Sequence, residues 1–367
     1  MFSHTTIQQK DHTILLLPFA PSTLSDPSHV VSVILDILPK SSTQSFTVLF
    51  TTPSSHQQLY TTLKRSASRN FKLLQTFLGR IYASLATAQL IAGRVLMNVE
   101  IHFDGEDGSL KDKLFSNEKG DYQVIVTEGL PIPSQISSLI SSIPQITFPF
   151  PITSSSIGQI PPSDQSGQSD QSSSPGPAVV ALGGTFDHLH AGHKLLLHLS
   201  FFLSSQKLIV GLMADSLLGS KKFHEVVEKL DKRLESVERF LERLGGVKLN
   251  HERQNSHILS SSPETDEGAS EKDVISLQVQ EITDIYGPTS TDPNIHALVV
   301  SRETVSGGQA VNTKRKEKGL GELEIFVVDV IADKQDLKLG GVQDEGELKE
   351  LKMGSTGIRK WIMENGQ

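Results

Sequence analysis

The chain has 367 residues, a formal net charge of −8, 37% hydrophobic residues and no cysteine. That length leaves room for two cores, while the acidic balance excludes a general nucleic-acid binder, which needs a basic stripe. The absent cysteines exclude disulfides, thiolate metal sites and a cysteine nucleophile, as suits a reducing compartment. Residues 1–10 lack the apolar stretch of a signal peptide, and no segment approaches the ~20 apolar residues of a membrane span. The expectation is a soluble intracellular protein, cytoplasmic or nuclear, with neither nucleic acid nor membrane as partner.

In chain order, residues 13–19 read as a buried strand stopped at Pro18, 30–38 as a helix ended by Pro39, and 46–50 as a second strand. Two helices are expected at 57–78 and 81–93, the second with an apolar face of Ile81, Leu85 and Leu90, then strands at 95–103 and 122–126. Strands alternating with helices predict an N-terminal α/β domain over 1–158. It shows no catalytic constellation, and its role is open. The turn at 104–108, Asp-Gly-Glu-Asp-Gly, has the wrong ligand spacing for an EF-hand and is expected to be a solvated acidic turn. Residues 159–177 form a Ser/Gln/Pro-rich linker; from 160 onward its one large aliphatic residue is Ile160, too little to build a core.

From 178 to 367 the pattern restarts. A strand at 179–183 leads to a helix with a one-sided apolar set of Leu195, Leu196, Leu199, Phe202 and Leu203. A strand at 208–213, a helix at 225–244 ended by Gly245-Gly246, and a strand near 247–250 follow. Residues 255–273, rich in Ser, Glu and Asp, look like a disordered insertion, and 274–282 is an extended segment. A strand at 297–301, a helix at 306–318, a strand at 325–331, a charged loop at 333–349 and a helix from Ser355 complete the chain. Five strands with crossover helices predict a doubly wound, Rossmann-like parallel sheet, whose ligands sit at the C-terminal strand ends.

Four clusters fall where these strands end and helices begin. The first is Gly183-Gly184-Thr185-Phe186-Asp187 followed by His190, Gly192 and His193. The glycines let a ligand approach the backbone, and a helix N-terminus favours phosphate. Histidines three apart share one side of a helix, where imidazole N–H groups can donate to a phosphate as charge grows. Without a third ligand at suitable spacing a metal site is not expected; a structural histidine pair stays open. His198 is expected to pack or lie at the surface. The second cluster is Lys221-Lys222, cations suited to an anionic substrate or simply solvated. The third is Ser301-Arg302-Glu303-Thr304, where Arg302 can hold phosphate through paired donors, with Asn312 and Arg315 one turn apart on the next helix. The fourth is Gly354-Ser355-Thr356-Gly357-Ile358-Arg359, a helix start that either caps itself or offers hydroxyls to phosphate.

In this order the motifs resemble the HxGH nucleotidyltransferases, and most of all the eukaryotic-type phosphopantetheine adenylyltransferases. The resemblance rests on Gly-Gly-Thr-Phe-Asp-His-Leu-His-Ala-Gly-His at 183–193, Asp-Ile-Tyr-Gly-Pro-Thr at 284–289 and Leu-Val-Val-Ser-Arg-Glu-Thr at 298–304. It extends through Gly-Gly-Gln-Ala-Val-Asn at 307–312 with Arg315, Val-Val-Asp-Val-Ile at 327–331 and Ser-Thr-Gly-Ile-Arg at 355–359. It implies transfer of an adenylyl group from ATP to 4′-phosphopantetheine, giving dephospho-coenzyme A and pyrophosphate. By position, His190 and His193 would contact the ATP phosphates, with His193 the main stabiliser of the pentavalent α-phosphorus. Thr185 and Lys221, with Lys222 beside it, would hold the attacking phosphate, and Arg302 would help on the ATP side. Ser355 and Thr356 would cradle the β- and γ-phosphates with Arg359 nearby, and Gly183, Gly184, Thr185, Phe186, Asp187, Gly192 and Arg359 would be ATP- or phosphate-binding with them. Mg²⁺ is implied with ATP and not by a protein cage, and contact with other coenzyme A enzymes is compatible. Two departures stand out. Gly354 replaces the first Ser of the usual Ser-Ser-Thr, and no GxxxxGK[ST] loop of a fused kinase is present, so the reaction is expected to stop at dephospho-coenzyme A. HxGH by itself leaves cytidylyltransferases, nicotinamide mononucleotide adenylyltransferases and class I tRNA synthetases open. A non-catalytic nucleotide-binding scaffold is the alternative from another class.

Overall fold

The computed structural model describes residues 7–53, 58–106, 108–115, 119–150, 175–245, 247–249, 275–329 and 354–366. The greater part of the expected linker, the insertion at 255–273 and the loop at 333–349 lie outside the described residues.

The first half runs β1 (Lys10–Pro18), α1 (Pro21–Ser25), α2 (Ser28–Ser41), β2 (Ser42–Thr51), α3 (Leu59–Lys64), α4 (Ala67–Ile91), β3 (Asn98–Phe103), α5 (Leu110–Leu114), β4 (Tyr122–Thr127), α6 (Ser134–Ile140) and β5 (Gln145–Phe148). Its sheet is parallel with order β3-β2-β1-β4-β5. Strand β1 is buried on both faces, which is why it reads as an unbroken apolar run and not as an alternating one. The break between the two middle helices falls at residues 65–66, not at 79–80. Gly79 stays inside α4, where it is buried, so the glycine marks close packing instead of a stop.

The second half runs β6 (Val179–Gly184), α7 (Ala191–Leu203), β7 (Lys207–Met213), α8 (Leu230–Leu244), β8 (Val247–Leu249), β9 (Ile275–Ile282), β10 (Ala297–Ser301), α9 (Val305–Glu317), β11 (Glu324–Val328) and, past the undescribed stretch, α10 (Ser355–Asn365). The sheet is parallel, ordered β11-β10-β6-β7-β9-β8. The expected class, a doubly wound α/β sheet, is what forms, with six strands in place of five. The additional strand is β9, which pairs with β7 from Lys207↔Ser276 to Met213↔Ile282 and with β8 on its other side. Strand β6 lies between β7 and β10, so the chain leaves it at the point where the strand order reverses. The crevice for a ligand in such sheets opens there.

One hydrophobic core joins the two halves. Phe50, Phe77 and Phe103 of the first belong to the same buried cluster as Leu182, Leu199 and Phe202 of the second. Tyr60 stacks on Phe103 at 4.6 Å and meets Phe202 edge-on at 5.7 Å, and Phe71 meets Phe326 at 5.0 Å. Smaller clusters cover the outer faces: Ile14, Leu16, Val124 and Ile136 on the first sheet, and Ala181, Ile209, Leu298 and Val311 on the second. The 104–108 turn is not a solvated acidic turn. The Glu106 side chain is fully buried and takes Lys113 at 2.9 Å, while Asp104 accepts from the Thr52 hydroxyl at 3.0 Å and from the Thr52 amide. Among the described residues no helix is long and apolar enough to cross a membrane.

Because the core is continuous, urea is expected to unfold both halves in one transition. Phe103→Ala, which empties a position bordered by Phe19, Phe50, Tyr60 and His198, should lower the unfolding free energy by about 3–5 kcal/mol with the transition still single.

Candidate active site

The loop after β6 is held in a conformation that most side chains avoid. Phe186 and His188 have φ of 51° and 46°, each costing on the order of 1–2 kcal/mol for an L-residue. The surroundings leave no alternative. The Phe186 ring is buried, 5.3 Å from the His193 ring, and covers Gly184 so closely that a Cβ there would lie 3.0 Å from it. The His188 amide donates to Glu228 at 2.8 Å, and its Nε2 donates to the Val226 carbonyl at 2.8 Å.

Asp187, completely buried, is the hub. One carboxylate oxygen accepts from the Glu228 amide at 2.9 Å and the other from Arg359 at 2.7 Å. Arg359 is also buried; its Nε donates to the Lys222 carbonyl at 2.9 Å and its remaining nitrogen to the Thr356 hydroxyl at 3.1 Å. The first turn of α10 and the Lys221-Lys222 loop are thereby latched to the signature loop. Ser355 donates to the Asp187 carbonyl at 3.4 Å and contacts His190 Nε2 at 3.3 Å.

His190 is the N-cap of α7: its Nδ1 accepts from the Gly192 amide at 3.2 Å. That bond puts the neutral ring's proton on Nε2, facing outward toward Ser355. Gly192 suits the close approach, since a Cβ there would lie 3.2 Å from the His190 ring and push it aside. The rings of His190 and His193 stack at 3.9 Å. Burial, then the electrostatic influence of Lys194, His188 and Arg359, pushes the His190 imidazole down to about 3. Burial, then His190, Lys221 and Arg359, push His193 well below its ordinary value. His193 Nδ1 is buried with no hydrogen-bond partner. Lys221 is half-buried, and burial followed by the Arg359 charge pulls its ammonium down. Two neutral imidazoles and a weakened ammonium under several positive charges form a place that an anion would relieve.

The sequence-derived residues therefore divide. His190, His193, Lys221, Ser355, Thr356 and Arg359 converge around Asp187 at the end of β6. Thr185 lies there too, with its hydroxyl on the Met213 sulfur at 3.6 Å and its carbonyl taken by Arg233 at 2.7 Å. Gly183 is exposed at the strand end. Lys222 is exposed and enters the network only through its carbonyl. Arg302 stands apart: its exposed guanidinium makes a two-pronged pair with Asp329, beyond β11. Arg315 and Asn312 are structural. Arg315 is buried and donates to the Thr289 and Asp292 carbonyls at 2.8 Å, and Asn312 exchanges two hydrogen bonds with Leu323. His198 packs, fully buried, with Tyr82 and Glu106.

Sequence reasoning missed Arg233 and Glu228. Arg233 is fully buried on α8 and donates to the carbonyls of Thr185, Met213 and Glu228, bracing the ends of both strands that frame the crevice. The signal was present: Arg233 occupies a core position of the stripe Arg233, Val237, Phe240, Leu241, Leu244, and a charge at a core position calls for partners. Glu228 brings a third candidate ligand beside Asp187 and His188, the three offering atoms within 4.8 Å of one another. Their valences are already used, since Asp187 accepts two hydrogen bonds and His188 Nε2 donates to a carbonyl. The trio fits an internal strap better than a metal cage.

Residues 181–338 match the cytidylyltransferase-like family. The phosphopantetheine adenylyltransferase of Saccharomyces cerevisiae is 39% identical over 184 residues, covering 50% of this chain and 48% of that protein. The phosphopantetheine adenylyltransferase of Pyrococcus abyssi is 31% identical over 155 residues, covering 42% of this chain and 80% of that protein. The chain belongs to the phosphopantetheine adenylyltransferase family. Another relative of the same name, from Methanopyrus kandleri, is 28% identical over 171 residues, covering 47% of this chain and 90% of its own. The match spans about half the length of the Saccharomyces relative.

Two outcomes follow from this network. In the unfolded chain His190 titrates near 6.5 and in the fold near 3. Between these values the unfolded state binds more protons, so the His190 contribution to stability is level above about pH 6.5 and is lost as pH drops toward 3. His190→Asn should flatten part of that acid slope in urea titrations run across the range. Asp187→Asn leaves the Arg359 cation buried without its counter-charge and should cost about 3–5 kcal/mol in the same measurement.

Proposed function

We propose that this chain transfers the adenylyl group of ATP to 4′-phosphopantetheine, forming dephospho-coenzyme A and pyrophosphate in coenzyme A biosynthesis. The observation that carries the reading is the stacked His190–His193 pair at the start of α7, with one buried ring nitrogen unpartnered and Lys221 and Arg359 acting on it. Membership of the family supplies the chemical class.

A phosphate oxygen of phosphopantetheine forms a bond to the α-phosphorus of ATP. The bond from that phosphorus to the bridging oxygen breaks, and pyrophosphate leaves with the electron pair. No covalent enzyme intermediate is needed, because the substrate phosphate is already a nucleophile. The protein's part is positioning and charge stabilisation. His190 donates through Nε2 once a phosphate displaces Ser355, and His193 donates to the oxygens of the pentavalent phosphorus. Lys221, with Thr185, orients the attacking phosphate. Ser355, Thr356 and the free amides of α10 receive the β- and γ-phosphates, and Gly354 offers its amide where a hydroxyl is missing. Arg359 serves as a brace beneath them. Arg302 keeps one terminal nitrogen outside its pair with Asp329 through which it can reach a phosphate. A divalent cation, most simply Mg²⁺, enters with ATP and neutralises phosphate charge when bound.

The purified chain should release pyrophosphate and form dephospho-coenzyme A when given ATP and 4′-phosphopantetheine, read by a coupled assay and mass spectrometry. CTP, or nicotinamide mononucleotide as acceptor, should give little product. His193→Ala should reduce kcat about 10²–10³-fold, the range for loss of one transition-state donor, with an unchanged circular dichroism spectrum. A folded wild-type chain that binds ATP without turnover would overturn the proposal in favour of a nucleotide-binding scaffold.

A further inference from the structure

Helix α7 faces two ways. Its first turn presents His190 and His193 at the crevice, and the very next residue, Lys194, points into the first half. Lys194 is almost wholly buried, and its amine lies among fixed partners on one strand. Its ammonium donates to the Asn98 side chain and to the Val99 carbonyl at 2.9 Å, and lies 3.9 Å from Glu100. All three acceptors belong to β3 of the first half. Burial alone would raise the Glu100 carboxyl, but Arg243, the His102 hydrogen bond and Lys194 hold it ionised, at about 2. One turn further along α7, His198 accepts from Tyr82 of α4 at 3.3 Å and faces Glu106 at 3.4 Å. The same half also holds α10, whose Ile358 and Ile362 pack on Val95 with Leu90 beside it. The two helices that carry most of the proposed phosphate contacts are thus both seated on residues 90–106.

An apolar side chain at 194 would fill the space without fixing how far the helix slides or turns, because dispersion contacts are weakly directional. A buried cation with fixed acceptors on one strand is directional, and leaving it mismatched costs several kcal/mol. We propose that the first half of the chain is the positioning body of the reacting site, and that Lys194 is the positioning residue that sets α7 so that His190 and His193 meet the phosphate. The proposal rests on the adenylyl-transfer reading for what the histidines do. The seating of the helix can be read without it. Burial is the main reason the His190 ring is neutral, and Lys194 adds to it, so its removal acts on the site through geometry and charge alike.

The test uses the full chain with Lys194→Met and, in the first half, Asn98→Ala, which removes one Lys194 acceptor and a donor to Glu100 but no charge. Two readouts are taken. In adenylyl transfer, Lys194→Met should lower kcat at least tenfold and Asn98→Ala about threefold or more, with the KM for ATP within twofold of wild type; a merely structural weakening would not give that split. In hydrogen exchange followed by mass spectrometry, amides of 191–197 should exchange at least fivefold faster in both variants, with β10 unchanged. If Lys194→Met fails to fold, Asn98→Ala decides. Folded variants with wild-type kcat and wild-type exchange over 191–197 would overturn the proposal. A wild-type chain without transferase activity would sink the adenylyl-transfer reading, and the exchange comparison would still decide the seating of α7.

Discussion

The buried pair of Asp187 and Arg359 is the contact on which the crevice depends. It links residues 172 positions apart and leaves neither charge in water. Such pairs add little net stability, since desolvation offsets most of their attraction. Their effect here is geometric. Asp187 has one oxygen for α10 and one for the strand-to-helix connection at Glu228, while Arg359 has a nitrogen for each of Asp187, Lys222 and Thr356. The signature loop, the lysine loop and the last helix are drawn to one point. The left-handed backbone at Phe186 and His188 is the strain this arrangement tolerates.

The same pair shows where reading the sequence works and where it stops. The strands were legible because a parallel sheet buried on both faces leaves continuous apolar runs, as in β1 and β7. The loop after β6 was legible because paired glycines and histidines three apart have few other uses. Asp187 and Arg359 were expected at the phosphate site, and the fold shows in addition that they hold one another. Local pattern cannot reveal this, because each is the other's explanation and they lie at opposite ends of the domain. Arg302 was placed correctly at the end of β10, yet its Asp329 partner sits on the neighbouring strand's exit and carries no signal at short range. Strand β9 was seen as extended but not counted, its alternation of Ile275, Leu277 and Val279 with polar residues being weaker than the runs around it.

The first half was least legible. Glu100, Glu106, Lys113 and Lys194 look like ordinary surface charges in sequence, and the Asp-Gly-rich turn reinforces that impression. All four side chains are buried where the two halves meet. Charges enter an interior only in matched sets, and the set is complete only when both halves are present. Lys113 reaches Glu106 within its own half and the Leu244 carbonyl across the boundary. This boundary resembles the interior of a single domain more than the polar meeting of two domains.

The shared core also separates covalent continuity from structural continuity. Every contact described between the halves is made by residues up to 150 on one side and from 175 on the other. A protease that severed the peptide between those points would break none of them. The nicked product should behave as a complemented pair, in which the missing peptide bond matters for assembly and much less for the assembled molecule.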